Sequence, residues 1–322
     1  MANLIPLVTG RGTMTVEAPP IPAYRTFVVR VVGLQRLSPS FLRVTFTGDD
    51  LGDCAPNGWD QRIKVLLPTP ERGLVDCPTG ADWYAEWRAL PAERRNPIRT
   101  YTVRAARPEA REIDVDFVLH GATGPASAWA ETAAVGDEIA LVAPDARFPG
   151  PTGGFEWHPP ADASCLLVAG DETAVPAICA IVEALPVGAP ARVFLEVPTA
   201  ADILPLAVPA GVEVTWLPRQ TDEAAAPAPH GARLSAAVVR AVQELPGGAG
   251  PAPHALDDVD VDAEILWEVP EDLPRTTSGP YAWLAGEAGT VKGLRRHLVQ
   301  ETGLDRGSVA FMGYWRLGKA SD

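Results

Sequence analysis

The chain has 322 residues, of which 47% are hydrophobic and 21% charged, and its formal net charge is −14 at pH 7. This length exceeds what one average hydrophobic core organises, so two domains are expected. The acidic balance argues against a nucleic-acid partner, and no apolar run approaches the length of a membrane span. The scattered cysteines and histidines lack the spacing of a disulfide framework, an iron–sulfur cluster or a zinc site, so no metal held by side chains is expected.

The start of the chain predicts no export signal. Residues 1–22 are rich in proline and glycine and are expected to form an extended arm. They lack a basic start followed by an apolar stretch, so we expect a cytoplasmic protein without stable membrane association.

Residues 23–157 have the pattern of an antiparallel β-barrel domain. Short β-rich runs closed by turn residues predict six strands, near 27–33, 41–48, 62–68, 99–104, 112–120 and 137–144. A helical insertion is expected at 82–95. Asp114 and Asp116 alternate with apolar residues, which favours the solvent face of a strand over an acid–base pair.

Two motifs in this domain predict a flavin cofactor. The first is Arg99-Thr-Tyr-Thr-Val-Arg104, and the second is His120-Gly-Ala-Thr-Gly-Pro-Ala-Ser-Ala-Trp129. An aromatic ring and a hydroxyl on one strand suit the isoalloxazine, and the arginines suit phosphate. Small residues before a helix let backbone N–H groups approach a pyrophosphate.

Residues 158–322 have the pattern of a doubly wound, mainly parallel α/β domain. The chain passes through a Pro- and Gly-rich connection at 149–160 and then alternates strands with helices. Strands are expected at 164–170, 191–197, 212–217, 281–286 and 309–314, and helices at 174–185, 234–244 and 287–302. The Pro-, Gly- and acid-rich stretch at 246–272 is expected to be a solvated loop.

Ligands of such sheets bind at the carboxyl ends of the strands, where two turns are distinctive. They are Gly170-Asp-Glu-Thr-Ala-Val-Pro176 and Gly286-Glu287-Ala-Gly. The carboxylates of Asp171 and Glu172 would repel a phosphate, so they are expected to cap a helix or contact ribose hydroxyls. An ordinary capped helix is the alternative for the first turn. The final segment, 311–319, either brings an aromatic ring to a flavin or is a packed strand with a solvated basic tail.

Five motifs in order resemble the siderophore-interacting proteins, which are FAD-dependent ferric-siderophore reductases of the ferredoxin-reductase-like superfamily. The motifs lie at 99–104, 116–129, 170–178, 283–287 and 313–318, and the resemblance covers residues 24–319. It implies the two-domain fold above, with FAD on the barrel and NADPH or NADH on the α/β domain. The family's Gly-Pro-Arg-Gly turn after the last barrel strand is replaced by Ala143-Pro-Asp-Ala-Arg-Phe148, where Arg147 is a candidate replacement for the arginine.

The resemblance also implies site residues. FAD would be bound by Arg99, Thr100, Tyr101, Thr102, Arg104, Phe117, His120, Gly121, Gly124, Pro125, Ala126, Ser127 and Trp129. The nicotinamide nucleotide would lie on Gly170, Asp171, Glu172, Thr173, Gly286 and Glu287, with Arg219 a candidate partner for a 2′-phosphate. An anionic ferric siderophore, a catecholate or mixed chelate, would be held by Lys64, Arg316 and Lys319, with Tyr314 and Trp315 near the flavin.

The implied reaction is hydride transfer from nicotinamide to flavin N5, followed by single-electron reduction of Fe(III)-siderophore to release Fe(II). No protein acid or base is required, since the flavin carries the chemistry. Two alternatives stay open: a general flavin or quinone reductase of the same fold, and a non-catalytic cytoplasmic carrier of ferric siderophore. The choice between NADH, NADPH and a ferredoxin as donor also stays open, and a monomer is favoured.

Overall fold

The computed structural model describes residues 21–121, 124–221, 226–244, 266–270 and 279–318. Nearly all of the expected N-terminal arm therefore lies outside the described residues. The described chain forms two sheets, one of seven strands and one of six. The first lies between residues 24 and 144 and the second between residues 166 and 315.

The first sheet is antiparallel throughout, with the strand order β4-β3-β7-β1-β2-β6-β5. Its strands are β1 (Tyr24–Ser38), β2 (Phe41–Thr47), β3 (Arg62–Leu66), β4 (Ile98–Thr102), β5 (Ala105–Arg107), β6 (Glu112–Val118) and β7 (Glu138–Pro144). The structure therefore adds the short strand β5 to the six expected. The two edge strands are consecutive in the chain. Between them, Val103 donates its N–H to Gln61 beside β3, and Arg104 donates its N–H to Asp114 of β6.

Two α-helices of the described residues accompany this sheet: α1 (Trp83–Ala89) and α2 (Pro125–Thr132). Alternation along the strands places one apolar face inside the barrel, where Phe27, Phe46 and Phe117 are fully buried. The expected helical insertion is confirmed as α1, whose Trp83 and Trp87 pack on the opposite face of β3 and β7.

Asp114 and Asp116 do not face solvent, which corrects the expectation for them. They lie on the outer face of β6, but they are only 6% and 2% exposed because arginines cover them. Arg107 binds Asp114 through two hydrogen bonds of 2.7 and 2.8 Å, and Arg43 binds Asp116 at 2.7 and 2.8 Å. Both carboxylates are therefore held in ion pairs.

The second sheet has the order β10-β9-β8-β12-β13-β11 and is parallel except for β11, which pairs antiparallel with β13. Its strands are β8 (Leu166–Gly170), β9 (Ala191–Thr199), β10 (Val212–Gln220), β11 (Trp267–Glu268), β12 (Tyr281–Glu287) and β13 (Val309–Trp315). The helices are α3 (Val175–Ala184), α4 (Ala232–Gln243) and α5 (Ala288–Arg295), the last continued by a π-helical segment, Arg296–Glu301.

The helices cover both faces of this sheet. α3 packs on one face and α4 and α5 pack on the other, so every residue of β8 is buried. The fold class is that of the prediction. The predicted loop at 246–272 is wrong for the part that the structure describes, since β11 lies there and Glu268 binds Arg295 and Arg306. The rest of that stretch, apart from the described residues 266–270, lies outside the described residues.

The two domains share a packed interface. Phe41 of the barrel is fully buried in the hydrophobic core that contains α3. The buried Asp202 carboxylate, which follows β9, accepts hydrogen bonds from the hydroxyl of Ser38 and the N–H of Ser40, both at 2.8 Å. These contacts fix the barrel against the carboxyl-end side of the second sheet.

Candidate functional site

The predicted flavin strand is β4, at the edge of the barrel sheet. Tyr101 pairs with Ile63 of β3 and turns its ring toward the barrel interior, where its centroid lies 4.5 Å from that of Phe117. The ring of Trp129 lies 5.4 Å from the same phenylalanine. The structure thus brings three of the predicted FAD residues into one aromatic cluster. Burial holds the pKa of the Tyr101 phenol above its usual range, so the side chain stays neutral.

The opposite face of β4 carries Thr100 and Thr102. Thr100 is exposed and its hydroxyl lies 2.7 Å from the ammonium of Lys64, its register partner on β3. Partial enclosure and the charge of Arg62 both lower the pKa of Lys64. The predicted siderophore lysine therefore lies directly beside the flavin motif. Arg99 donates to the carbonyl of Ile98 at 2.7 Å.

The second flavin motif forms the start of α2. Gly124 precedes the helix and Pro125 opens it, and no side chain among the described residues caps its N-terminus. A Cβ atom built on Gly124 or on Gly121, which has a φ of +79°, meets no atom of the described residues within 4 Å. The Ser127 hydroxyl accepts from the N–H of His120 at 3.3 Å. The helix therefore offers open backbone N–H groups, as a pyrophosphate site requires.

Arg104, for which the resemblance implies contact with FAD, binds a carboxylate of the second domain. Its guanidinium binds Glu183, near the end of α3, through two hydrogen bonds of 2.8 and 2.6 Å. The pair crosses the domain interface and lines a groove of about 350 Å³ between the residues around Trp59 and α3. Arg147 is likewise held by a carboxylate, since it binds Asp145 at 2.7 and 2.9 Å.

The first strand-end turn is built around Asp171. Its carboxylate is 3% exposed and accepts four hydrogen bonds: from the N–H and hydroxyl of Thr173 at 2.9 and 2.5 Å, and from the N–H of Glu287 and Nε1 of Trp315, both at 2.7 Å. It thus joins the ends of β8, β12 and β13. Burial, with the nearby charge of Glu172, raises the pKa of Asp171 to about 6.

Glu287 fixes the second strand-end turn. Its carboxylate accepts from the N–H of Thr290 at 2.8 Å, which caps α5, and from the N–H of Leu317 at 3.3 Å. Burial alone would raise the pKa of Glu287, but these N–H groups outweigh it and lower the pKa. Gly286 before it has a φ of +146°, and a Cβ there would lie 2.6 Å from the Asp171 carboxylate. Only glycine therefore fits this position.

Glu172 and Arg219, which the sequence placed on the nucleotide, bind each other. The guanidinium donates to both carboxylate oxygens, at 2.6 and 2.8 Å, and both residues are buried. Arg219 also lies 3.5 Å from the fully buried Glu196. Glu196 in turn accepts from the N–H groups of Gly231 and Leu234 at the start of α4.

Of the two aromatic residues that end β13, Tyr314 lies where the two domains meet. Tyr314 stacks on Trp267, with centroids 6.0 Å apart, and Trp315 meets His230 edge-on at 5.2 Å. The Tyr314 hydroxyl is buried without a hydrogen-bond partner among the described residues, and burial holds its pKa well above the usual value. Arg316 follows, half-buried, while Lys319 lies outside the described residues.

Three residues at this meeting point were missed by the sequence analysis. Arg62 of β3 lies over the ring of Trp267 at 4.3 Å, and both contact Glu156, at 2.5 and 3.2 Å. Trp267 comes from the acid-rich stretch interpreted as a loop. The available signal was the charged or aromatic character of these isolated residues, which does not specify a site.

Several other chemistries find no support in the described part of the chain. No group of three or more His, Cys, Asp or Glu side chains there could hold a metal ion. Burial raises the pKa of Cys54 to about 12 and that of Cys77 to about 11, so these thiols stay protonated at neutral pH. Among the helices that the structure describes, none is both long and apolar enough to cross a membrane.

A flavin-motif barrel joined to a doubly wound, mainly parallel domain defines the ferredoxin-reductase-like class of folds. Ferredoxin reductase in carbazole 1,9a-dioxygenase shares this fold at 17% identity, with a TM-score of 0.57 over 92% of this chain and 71% of that one.

Within that class, the chain belongs to the siderophore-interacting protein family. The siderophore-interacting FAD-binding domain matches residues 30–148 and the siderophore-interacting protein pattern matches 163–318, which confirms the resemblance. The crystal structure of SipS, a siderophore-interacting protein from Aeromonas hydrophila, has 30% identity and a TM-score of 0.63, over 93% of this chain and 94% of that one. Ferric vibriobactin reductase ViuB from Vibrio cholerae is 29% identical over 286 residues, 88% of this chain and 86% of ViuB.

Proposed function

We propose that the protein is an NAD(P)H-dependent reductase of ferric siderophores that acts in the cytoplasm. The observation that carries the proposal is the contact between Lys64 and Thr100, which puts a cation beside the flavin motif of an acidic protein. The similarity to a ferric vibriobactin reductase over most of both chains supports the same reaction.

The residues present fit FAD. The uncapped start of α2, with open space at Gly121 and Gly124, suits a pyrophosphate, and the hydroxyls of Thr100 and Thr102 lie on the strand that would face the ring. The hydroxyl of Tyr314, which has no hydrogen-bond partner among the described residues, offers a further polar contact. Bound FAD would supply the redox chemistry, with two electrons received as hydride from the nicotinamide and passed on singly to ferric iron.

The protein's own contribution is position and charge. Ferric catecholates carry several negative charges, and the ammonium of Lys64 and the guanidinium of Arg316 would attract them toward the flavin strand, with Lys319 as a further cation. No protein ligand to iron is needed, because the chelate carries its own hard oxygen donors. Ferrous iron binds those donors less strongly, so reduction loosens the complex.

The test is anaerobic stopped-flow absorbance of the FAD-loaded protein. NADH or NADPH should bleach the flavin band, and a ferric catecholate should restore it while a ferrous trap develops colour. Lys64→Met should slow reoxidation by the chelate about tenfold and leave reoxidation by a neutral quinone nearly unchanged. Lys292→Met, the same substitution on α5, is the matched control and should behave as the wild type.

Other outcomes would change the proposal. Reoxidation by quinone but not by the chelate would make the protein a general flavin reductase. Bound FAD that neither nucleotide reduces would point to a protein donor such as a ferredoxin. Protein that binds ferric siderophore but no flavin would be a carrier.

A further inference from the structure

The ion pair between Glu172 and Arg219 lies where a dinucleotide would bind. Glu172 follows β8 and Arg219 lies near the end of β10, both at the carboxyl ends of parallel strands. The guanidinium and carboxylate meet fork to fork, at 2.6 and 2.8 Å, and each residue is 7% exposed. This is the strong, planar form of the interaction, so the pair is a fixed part of the crevice.

The carboxylates around Arg219 outnumber its single positive charge. Besides Glu172, the fully buried Glu196 lies 3.5 Å away and cannot turn aside, because it accepts from Gly231 and Leu234 at the start of α4. Asp171 adds a third carboxylate on the same turn. His230 also faces the pair, with Nδ1 3.9 Å from Glu172.

A ribose 2′-hydroxyl and a 2′-phosphate make opposite demands on such a site. Dinucleotide sites commonly offer a carboxylate to the 2′-hydroxyl of NAD or an arginine to the 2′-phosphate of NADP. Here both groups are present and bound to each other. A 2′-phosphate would have to displace Glu172 and leave that carboxylate buried without its partner, which is strongly unfavourable. A 2′-hydroxyl can donate to Glu172 while the pair stays intact.

We infer that Glu172 makes this crevice selective for NADH over NADPH, by occupying the arginine that a 2′-phosphate would need. The inference rests on the proposed function, since it names the nucleotide that would reduce the flavin. Glu172 is thereby the specificity-determining residue, and Arg219 is a structural cation.

The test compares anaerobic flavin reduction by NADH and NADPH in the wild type, Glu172→Gln and Glu244→Gln. A glutamine in place of Glu172 keeps the shape of the side chain but removes the charge that occupies Arg219. The control removes a carboxylate that binds Arg192 at 2.8 Å at the protein surface. The wild type and the control should prefer NADH about tenfold or more in second-order rate constant, and Glu172→Gln should lose about tenfold of that preference.

A second measurement separates this inference from the reductase proposal. Calorimetry compares binding of adenosine 5′-monophosphate with binding of adenosine 2′,5′-diphosphate, which differ only in the 2′-phosphate, and needs no flavin reduction. If neither NADH nor NADPH reduces the flavin but the wild type prefers adenosine 5′-monophosphate, the reductase proposal fails and the inference stands. A wild type that prefers the 2′-phosphorylated probe, binds neither probe, or keeps its preference after Glu172→Gln overturns it. Should the variant not fold, a wild type that prefers the 2′-phosphorylated probe still overturns the inference.

Discussion

The two domains both bury aspartates, but they stabilise them in opposite ways. On the barrel strand β6, Asp114 lies under the guanidinium of Arg107 and Asp116 under that of Arg43. At the end of β8, Asp171 is bound by neutral donors, an indole, a hydroxyl and two backbone N–H groups. Burial favours a raised pKa for both Asp114 and Asp171. Arginine and Thr45 reverse it for Asp114, whose pKa is lowered, whereas the pKa of Asp171 is raised to about 6.

The two kinds of partner suit two roles: Asp114 and Asp116 are structural, whereas Asp171 positions the strand ends around it. A carboxylate matched by an arginine is a cross-link between strands that stays charged at neutral pH. A carboxylate held by neutral groups keeps three strand ends together while remaining close to titration at neutral pH. The second arrangement is found at the predicted nucleotide turn.

The largest expected effect comes from removing a cation in the barrel. Arg43→Met leaves the buried Asp116 without the guanidinium that binds both of its carboxylate oxygens. The variant should lower the free energy of unfolding by about 3 kcal/mol in urea denaturation. Arg192→Met removes a pair at the protein surface and should cost less than about 1 kcal/mol. An equal decrease in the free energy of unfolding in the two variants would show that the buried barrel pair stabilises the fold no more than the surface pair does.

Asp171→Asn should show a pH-dependent effect. The raised pKa of Asp171 means that the folded protein retains a proton that the unfolded chain has lost, so its contribution to stability is greatest at low pH and declines as pH rises through about 6. The destabilisation caused by Asp171→Asn should therefore shrink by about 2 kcal/mol between about pH 4.5 and about pH 8. A pH-independent difference between variant and wild type would contradict the raised pKa.

Asp114→Asn should show the opposite and smaller dependence. The lowered pKa of Asp114 stabilises the folded protein above the unfolded-state pKa, and this contribution is lost as pH falls. The destabilisation should accordingly grow with rising pH from about pH 3 to about pH 6. Urea titrations of both aspartate variants across the same pH series compare the two signs directly.

The smallest effect is expected from Trp315→Phe. This change removes one neutral donor, at 2.7 Å, from the Asp171 carboxylate and so disfavours its charged form. The midpoint of the pH dependence in stability should move up by a fraction of a unit. A midpoint that moves down would mean that the indole does not support the charged form of Asp171.

The sequence predicted the fold class because its elements are signalled locally. A strand such as β8 is a fully apolar run, and a glycine or proline turn bounds most of the others. The strands it missed, β5 and β11, have three and two residues and exist only through pairing with a neighbour. A local pattern cannot report such pairing.

The site was predictable as motifs but not as contacts. The motif residues lie on a strand, β4, and in the turn at the end of β8, as the sequence predicts. Their partners are remote: Arg104 binds a residue 79 positions away, Arg219 one 47 away and Trp315 one 144 away. No spacing rule connects such residues, so a cation predicted for a phosphate could not be recognised as the partner of a carboxylate.

Asp202 couples the unfolding of the two domains. Its carboxylate binds Ser38 and Ser40 of the barrel and also the hydroxyl of Thr199 in the second domain at 2.8 Å, while Phe41 is buried in the other domain's core. Separating the domains would break the hydrogen bonds to Ser38 and Ser40 and expose an aromatic ring to water. Heat should therefore unfold both domains cooperatively, in one calorimetric transition rather than two.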